Sequence, residues 1–329
     1  MVDSKTRSYR LDAFRVYAIF LVVIGHVQFR GHLLNDTPFS YFFSYFICIT
    51  GRWVIPYFFI LAGYLLEGKI LREPGQKIPI VKTYTKKLAT IFLFWCAVYL
   101  LENPSEVFEY AKAHPISLLL QGTKIHLWYL VSLIMTVWVF AWWPSNKKAS
   151  SFLYLGIILF FLGLLGGSYK QTPLGFDIKI STRDGIFFST FFFAIGVWLK
   201  QRPPSINKTQ ALAIALIGVT IFSLEAFLLS STMDMRQHDF LLGSIPFGIG
   251  TFLFALQGKD HRHDNIIGRY GRYVLGIYVS HFLFIPLWQP LGRYFSSDVW
   301  PLLFPVIVFA TSLLVTIALS KTPLKRFVV

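Results

Sequence analysis

The sequence contains few charged residues and almost no cysteine. Charged residues form 14% of its 329 positions, whereas a soluble domain carries about 25%. The two cysteines, Cys48 and Cys96, lie in apolar runs, so they offer neither a disulfide framework nor metal-ligand spacing. No internal repeat or low-complexity tract is visible, and the longest non-apolar segments span about 20 residues. These absences exclude a soluble domain carried on a single membrane anchor.

Apolar residues are abundant instead. They make up 55% of the chain, with 34 phenylalanines and a mean hydropathy of +0.57. About ten runs have the length of a membrane span. They are 11–29, 39–66, 87–102, 126–144, 151–167, 185–200, 211–229, 239–257, 273–291 and 300–320. We therefore expect an all-α polytopic membrane bundle of about ten transmembrane helices, forming a single domain over 1–329.

Three local features refine this prediction. The first run has the length of a span and lacks a small-residue cleavage site after His26, so it is not a signal peptide. The run 39–66 contains Arg52 and Pro56, which leaves open whether it forms two helices or one kinked helix. The proline-flanked stretch 105–115 is expected to form a short interfacial helix.

Basic residues indicate the orientation. With the N-terminus in the cytoplasm, the loops on that side carry 21 Lys and Arg, against 8 on the other side. The positive-inside rule then predicts two cytoplasmic termini and an even number of spans. The net charge of +15 is spread over short loops, which argues against nucleic acid binding. Anionic lipid and anionic cofactors are the expected partners.

Two ionisable residues share one face of the first run. Arg15 and His26 are eleven residues apart, or ~16 Å along a helix at nearly the same azimuth. Ionisable groups in a bilayer face protein or a water-filled cavity and are functional candidates. Asp12 lies one turn before Arg15, where it can orient the guanidinium, and Gly25 opens space beside His26. A packing histidine and a snorkelling interfacial arginine are the alternatives.

Two further features near the expected external side are candidates for a site. Arg52 has strongly apolar flanks, and its alternative role is to anchor a helix end. In the sequence HLWYL an aromatic belt at the interface accounts for Trp128 and Tyr129 but not for His126.

The later runs hold three more polar residues. Glu225 is an acid within an apolar run, either a buried hydrogen-bond anchor or a site residue. Asp239 opens the eighth run and is expected to cap a helix. Ser280 and His281 are adjacent, so they do not share a helix face, which disfavours a serine–histidine catalytic pair.

Six ordered segments carry a resemblance to a known family. They are YRLDAFRVYAIFLVVIGH at 9–26, RWVIPYFFILAGYLL at 52–66, KTYTKKL at 82–88, HLWYL at 126–130, FFFAIGVWL at 191–199 and YGRYVLGIYVSHFL at 270–283. Together they resemble acyltransferase family 3, integral membrane proteins that acylate sugars of bacterial envelopes. Ala62 stands where serine is common in the family, which weakens a role for a hydroxyl there. Because the chain ends at Val329, the soluble esterase-like domain of some relatives is expected to be absent.

The resemblance implies a site and its substrates. The donor would be cytoplasmic acyl-coenzyme A, most often acetyl-coenzyme A, without a metal. The acceptor would be a hydroxyl of an envelope or lipid-linked glycan such as O-antigen, at the bacterial inner membrane. The implied catalytic-site residues are His26, Arg15, Arg52 and His126. Because the donor carries several phosphates, we expect it to bind Arg15 and the cytoplasmic basic loop with Lys82, Lys86 and Lys87. We expect the acceptor-binding residues to be Trp128, Tyr129, Glu225, Asp239 and His281.

The chemistry of transfer fits these residue types. A sugar hydroxyl needs a base near pH 7, which His26 can supply, and cations or other donors can stabilise the oxyanion that forms on the thioester carbonyl. Direct transfer and an acyl-histidine intermediate both stay open. We expect water-accessible cavities from both faces to meet near His26, with Arg52 and His126 beside it.

Other function classes remain open. In a proton-coupled secondary transporter or exporter, His26 and Glu225 would relay protons without forming a bond. A polyprenyl-linked glycan polymerase or ligase would use arginines on long external loops, and the external loops here are short. Consumption of a thioester distinguishes the acyltransferase from the transporter.

Overall fold

The computed structural model is predominantly helical in the residues it describes. These are 8–30, 37–144, 148–178, 180–231, 238, 240–257 and 266–329, without the side chains of 28–30, 40 and 41. Within these ranges no residue is in a β-strand. The α-helices are α1 (Tyr9–Arg30), α2 (Pro38–Thr50), α3 (Val54–Arg72), α4 (Lys77–Glu102), α5 (Pro104–Ala113), α6 (Pro115–Gln121), α7 (Trp128–Trp142), α8 (Ala149–Gly166), α9 (Ile186–Gln201), α10 (Lys208–Leu228), α11 (Ser244–Leu256), α12 (Val274–Trp288) and α13 (Trp300–Leu319). Short 3₁₀ helices cover Ile125–Leu127, Ile267–Tyr273, Gln289–Tyr294 and Pro323–Phe327.

The apolar runs are confirmed as helices. Within the described ranges, seven helical stretches are long and apolar enough to cross a membrane. The run 11–29 coincides with α1, of 22 residues, and the run 185–200 with the shorter α9, of 16 residues. The run 239–257 overlaps α11, of 13 residues, only from Ser244 onward. The fold is therefore that of an all-α, multi-pass membrane protein. The number of about ten spans and the cytoplasmic termini stay predictions.

The structure decides one boundary that the sequence left open and corrects another. The run 39–66 forms two helices, α2 and α3, which are separated by a turn at residues 51–53. Helix α4 begins at Lys77, so the expected basic loop is wrong because its lysines lie on the first turns of a helix. Lysine, threonine and tyrosine are compatible with helix, and the break comes earlier, at Gly75, whose φ of +81° favours glycine. Hydropathy marked only the apolar part of α4.

The stretch after α4 is helical, as expected, but it forms two short helices. Each of them, α5 and α6, begins with a proline, which is favourable at the first helical position because its missing N–H would be unsatisfied there. The Asn103 side chain caps α5 by accepting a hydrogen bond from the backbone N–H of Glu106 at 3.3 Å. The position of this stretch at the membrane interface stays a prediction.

The chain divides into two compact units. Unit 1 comprises Met1–Val54, Asn207–Leu212 and Leu253–Val329, and unit 2 comprises Ile55–Ile206 and Ala213–Phe252. The single domain over 1–329 stays a prediction.

In unit 1, α1 packs against α12, α13 and the 3₁₀ helix Ile267–Tyr273. Two glycines of this 3₁₀ helix permit a close approach. A Cβ at Gly268 would collide with the backbone of Tyr9, and a Cβ at Gly271 would collide with the Asp12 side chain. Farther along, Gly276 of α12 packs equally closely on Thr316 of α13. Small residues thus set the positions of α1 and α12.

In unit 2, α8 packs along α9, and α7 contacts both α4 and α9. A Cβ at Gly196 of α9 would lie 2.7 Å from the backbone nitrogen of Tyr64, so α3 and α9 approach at backbone distance. Small polar side chains support this packing, since Thr136 and Ser189 are hydrogen-bonded at 2.6 Å between α7 and α9. A buried phenylalanine cluster fills the centre, formed by Phe160, Phe188, Phe191, Phe192 and Phe240.

Candidate functional site

The central feature of unit 1 is a pair of histidines on two helices. His26 lies near the end of α1, and His281 lies in the middle of α12. The Nδ1 atom of His26 is 2.8 Å from the Nε2 atom of His281, so one ring nitrogen donates a hydrogen bond to the other. The two rings are nearly parallel, with planes inclined by 13°. The sequence drew attention to both residues but did not predict that they meet.

Backbone carbonyls hold the second ring of the pair. The Nδ1 atom of His281 is 2.7 Å from the Tyr278 carbonyl oxygen and 3.1 Å from that of Ile277. His281 is fully buried at 0% exposure, and the Phe282 ring meets both histidines with centroids 4.9 Å away. His26 is only partly buried. The pair therefore has one fixed, enclosed member and one member that is partly exposed.

The predicted pairing of Asp12 with Arg15 is confirmed. The Arg15 Nη1 atom donates to Asp12 Oδ1 at 2.7 Å, one helical turn apart. Asp12 is buried against Gly271, while the Arg15 side chain is 28% exposed. The carboxylate thus orients a guanidinium that can still fork onto another anion.

Arg52 and Gly25 are two further candidate residues of unit 1. Arg52 is partly buried in the turn that precedes α3, so the interpretation of a helix-end residue is supported. A Cβ built at Gly25 would meet none of the described atoms within 4 Å. Among the described residues, the expected open space at this glycine, next to His26 in the chain, is therefore present.

In unit 2, the HLWYL segment is buried more deeply than an aromatic belt requires. His126 is 1% exposed, and its ring lies nearly perpendicular to the Tyr99 ring, with centroids 5.4 Å apart. Trp128 is 7% exposed, and Tyr129 packs on Phe59 with centroids 4.7 Å apart. These residues join α7 to α3 and α4 within the core of unit 2.

A charged cluster beside Trp128 was missed by sequence reasoning. The buried Asp184 accepts hydrogen bonds from Gln121 Nε2 at 2.5 Å and from Arg183 Nε at 2.7 Å. The Arg183 guanidinium lies 5.0 Å from the centre of the Trp128 ring, a cation–π contact. The sequence feature that could have indicated this cluster is the adjacent Arg183–Asp184 pair. It directly precedes Gly185, which has a φ of +150° and is the last residue before α9.

Glu225 is held as a hydrogen-bond anchor. Its carboxylate accepts from the Tyr169 hydroxyl at 2.7 Å and from the backbone N–H groups of Leu242 and Gly243 at 3.0 and 3.1 Å. Burial, and then the Glu225 carboxylate, raise the pKa of Tyr169, so its hydroxyl stays a donor. These hydrogen bonds favour the interpretation of Glu225 as a structural anchor over its interpretation as a site residue. Asp239 lies outside the described residues, and α11 begins only at Ser244.

The three lysines implied for donor binding lie exposed on α4. At the start of the same helix, unit 2 has a cleft of about 240 Å³. Phe140, Trp143 and Phe152 line it together with Lys77 and the buried Glu67. None of its lining residues belongs to unit 1.

The predicted site residues thus divide between the units. Unit 1 contains Arg15, His26, Arg52 and His281, and unit 2 contains Lys82, Lys86, Lys87, His126, Trp128, Tyr129 and Glu225. The structure brings His26 and His281 into direct contact. The convergence of Arg52 and His126 on His26, and the meeting of two cavities there, stay predictions.

Comparison with known proteins defines the family. The Acyl_transf_3 family, described as an acyltransferase domain, matches residues 8–321. The chain belongs to acyltransferase family 3. The match includes the helices that carry Arg15, His26 and His281, and it confirms the family suggested by the six sequence segments.

The curated relatives that match the chain are named racemases, not acyltransferases. A serine/alanine racemase of Enterococcus gallinarum is 26% identical over 271 residues, which is 77% of this chain and 37% of the relative. Two amino-acid racemases of Enterococcus faecalis are also 26% identical, over 72% and 88% of this chain and 33% and 43% of theirs. The chain therefore spans about a third to two fifths of the length of the relatives it matches. No solved structure matches the chain.

Proposed function

We propose that this acyltransferase transfers an acetyl group from cytoplasmic acetyl-coenzyme A to a hydroxyl of an envelope or lipid-linked glycan. The observation that carries the proposal is His26, a partly buried imidazole on α1, hydrogen-bonded through Nδ1 to His281. A family member that acylates hydroxyl groups needs a base of this kind near pH 7. The setting would be the cytoplasmic membrane of a bacterium.

The reaction uses the ring nitrogen of His26 that faces away from His281. Its Nε2 atom takes the proton from the sugar hydroxyl while the oxygen attacks the thioester carbonyl. The tetrahedral intermediate then collapses, the C–S bond breaks, and the proton moves from His26 to the departing thiolate. An ester and free coenzyme A result, and no oxidant or further co-substrate is needed. Direct transfer thus needs one base and no acyl-histidine.

Arg15 is proposed to contact an anionic group of the donor. Its guanidinium is partly exposed, oriented by Asp12, and ~16 Å from His26 along α1. Extended pantetheine has a comparable length, so a donor held at Arg15 could present its thioester at His26.

We do not propose a racemase activity for this chain from the names of its relatives. They belong to proteins more than twice as long as the segments that match this chain. Membership of an acyltransferase family, by contrast, rests on residues 8–321 of the chain itself.

The test is thioester consumption by the purified chain in lipid nanodiscs. Release of coenzyme A and mass spectrometry of the acylated glycan are measured together, with and without acceptor. We expect coenzyme A release that depends on the glycan, and a mass increase of one acetyl group on the product.

Substitution of the base provides the matched control. His26→Ala should lower turnover by ~10²–10⁴-fold, the usual contribution of a general base. His114→Ala, which changes an exposed histidine, should leave turnover unchanged. Intact acetyl-coenzyme A with the wild-type chain, under conditions where a proton gradient drives solute movement, would favour the transporter instead.

A further inference from the structure

The histidine pair defines which nitrogen of each ring carries a hydrogen. The Nδ1 atom of His281 is within hydrogen-bond distance of two backbone carbonyl oxygens, those of Tyr278 and Ile277. Carbonyl oxygens only accept, so Nδ1 of His281 must carry the proton. The partner of one ring nitrogen thus sets the tautomer of the whole ring.

The same logic extends to His26. A second proton on His281 would place a charge at a site with 0% exposure, which is costly. The ring is therefore neutral, and its Nε2 atom is an acceptor. Because this atom is 2.8 Å from Nδ1 of His26, the His26 Nδ1 atom must donate. The lone pair of His26 is then left on Nε2.

We infer that His281 is a positioning residue that fixes His26 as the Nδ1-protonated tautomer and so makes Nε2 the catalytic base. This inference rests on the proposed function and deepens it. It also assigns His281 a role different from the acceptor binding expected from the sequence. His281 acts through His26 and touches neither substrate.

The arrangement suits a membrane interior. When His26 takes the hydroxyl proton, the resulting imidazolium donates from Nδ1 to the His281 Nε2 lone pair. The carbonyls of Tyr278 and Ile277 lie behind His281 and polarise its ring in the same direction. Orientation and stabilisation by neutral dipoles avoid the desolvation cost that a buried charged partner would carry.

Nuclear magnetic resonance tests the tautomer without any turnover. The full chain is labelled with ¹⁵N-histidine and reconstituted in nanodiscs, and resonances are assigned with His26→Ala and His281→Phe. We expect His26 to be protonated at Nδ1, with a through-bond ¹⁵N–¹⁵N coupling to His281. A His26 ring protonated at Nε2 in the wild-type chain would overturn the inference.

Kinetics distinguishes positioning from substrate binding. His281→Phe fills the same space but accepts no hydrogen bond, and turnover should fall ~10²-fold or more, as when the tautomer of a catalytic histidine is no longer fixed. His281→Gln keeps an acceptor oxygen toward His26 and a donor toward the carbonyls, and should recover most of this loss. The Michaelis constant of the acceptor should change less than about two-fold in both variants, because binding does not pass through His281.

The outcomes separate the two proposals. If wild-type chain leaves acetyl-coenzyme A intact, the proposed function fails, and the resonance measurement still decides the tautomer. If the wild type is active and His281→Phe changes only the Michaelis constant of the acceptor, His281 contacts substrate and the inference is wrong. Thermal unfolding of both variants shows whether a loss of turnover reflects loss of fold.

Discussion

Arg15 shows how one side chain can combine a structural and a binding role. Its ion pair with Asp12 is 2.7 Å long and one helical turn apart, and the guanidinium is still 28% exposed. Because Asp12 is buried, loss of Arg15 would remove a countercharge from an enclosed carboxylate, which costs more stability than loss of a fully exposed pair. A binding role for Arg15 is therefore tested with the free energy of unfolding of each variant measured beside its donor constant.

Substitution of Arg15 should weaken the binding of the donor. Arg15→Ala should raise the Michaelis constant of acetyl-coenzyme A ~10-fold or more, since a charge-assisted bond contributes about 1.5–3 kcal/mol. Arg15→Lys should recover only part, because lysine lacks the planar fork. Arg293→Ala, at an exposed arginine, is the control. Unchanged donor constants in both Arg15 variants would show that the residue serves only Asp12.

Gly25 offers a graded test of space beside the base. No described atom lies within 4 Å of a Cβ built there, so Gly25→Ala should be tolerated in fold and activity. Gly25→Leu should lower turnover at least ~10-fold while expression and unfolding temperature stay near those of Gly25→Ala, because the larger side chain fills the space that substrate needs. Equal turnover of the two variants would exclude substrate from this space.

Substitution of Glu225 should lower the stability of the protein without changing substrate binding, as expected of a structural anchor. Glu225→Gln removes the charge that accepts from Tyr169 and two backbone N–H groups. The free energy of unfolding should fall by about 1–3 kcal/mol. The Michaelis constants should be unchanged, as measured beside Tyr169→Phe as a matched control. A raised acceptor constant with normal stability would restore the binding role predicted from the sequence.

Between helices, glycines rather than charges place the site. Gly271 lets the 3₁₀ helix Ile267–Tyr273 lie against Asp12, and Gly276 lets α12 approach Thr316 of α13. The first contact supports the Asp12–Arg15 pair, and the second supports the helix that carries His281. A backbone approach of this kind can be lost through the addition of one methyl group.

Gly271→Ala should therefore separate the 3₁₀ helix from α1. Its Cβ would collide with the Asp12 side chain, so we expect a loss of about 1–3 kcal/mol in stability and a raised donor constant. Gly25→Ala, where the same methyl group meets open space, is the matched control. Thermal unfolding and donor titration of the two variants measure the difference, and equal behaviour would contradict the packing argument.

At the scale of the whole molecule, the orientation in the membrane is the main prediction to test. Ser105 on α5 is exposed and lies in the segment assigned to the outside, whereas Ser205 follows α9 in a segment assigned to the cytoplasm. In a background without Cys48 and Cys96, Ser105→Cys should react with a membrane-impermeant thiol reagent in intact cells. Ser205→Cys should react only after permeabilisation. The reverse pattern would invert the topology.

The amino-acid sequence by itself determined the fold class and the family. Apolar runs of spanning length must form helices in lipid, where backbone groups need partners within the segment. The length and hydropathy of a run are local properties of the sequence, so they can be read without tertiary information. The arginine and histidine of α1, with the five other segments, were enough to indicate the family that residues 8–321 confirm.

Only the tertiary structure decided which polar groups meet. His26 and His281 are 255 positions apart, and their contact depends on how α1 packs against α12, which hydropathy does not encode. The same holds for Gln121 with Asp184 and for Glu225 with Tyr169. Burial of a polar side chain is visible in a sequence as an oddity in an apolar run, but its partner is chosen by packing geometry, which is why sequence reasoning named His281 and Glu225 and missed what each one binds.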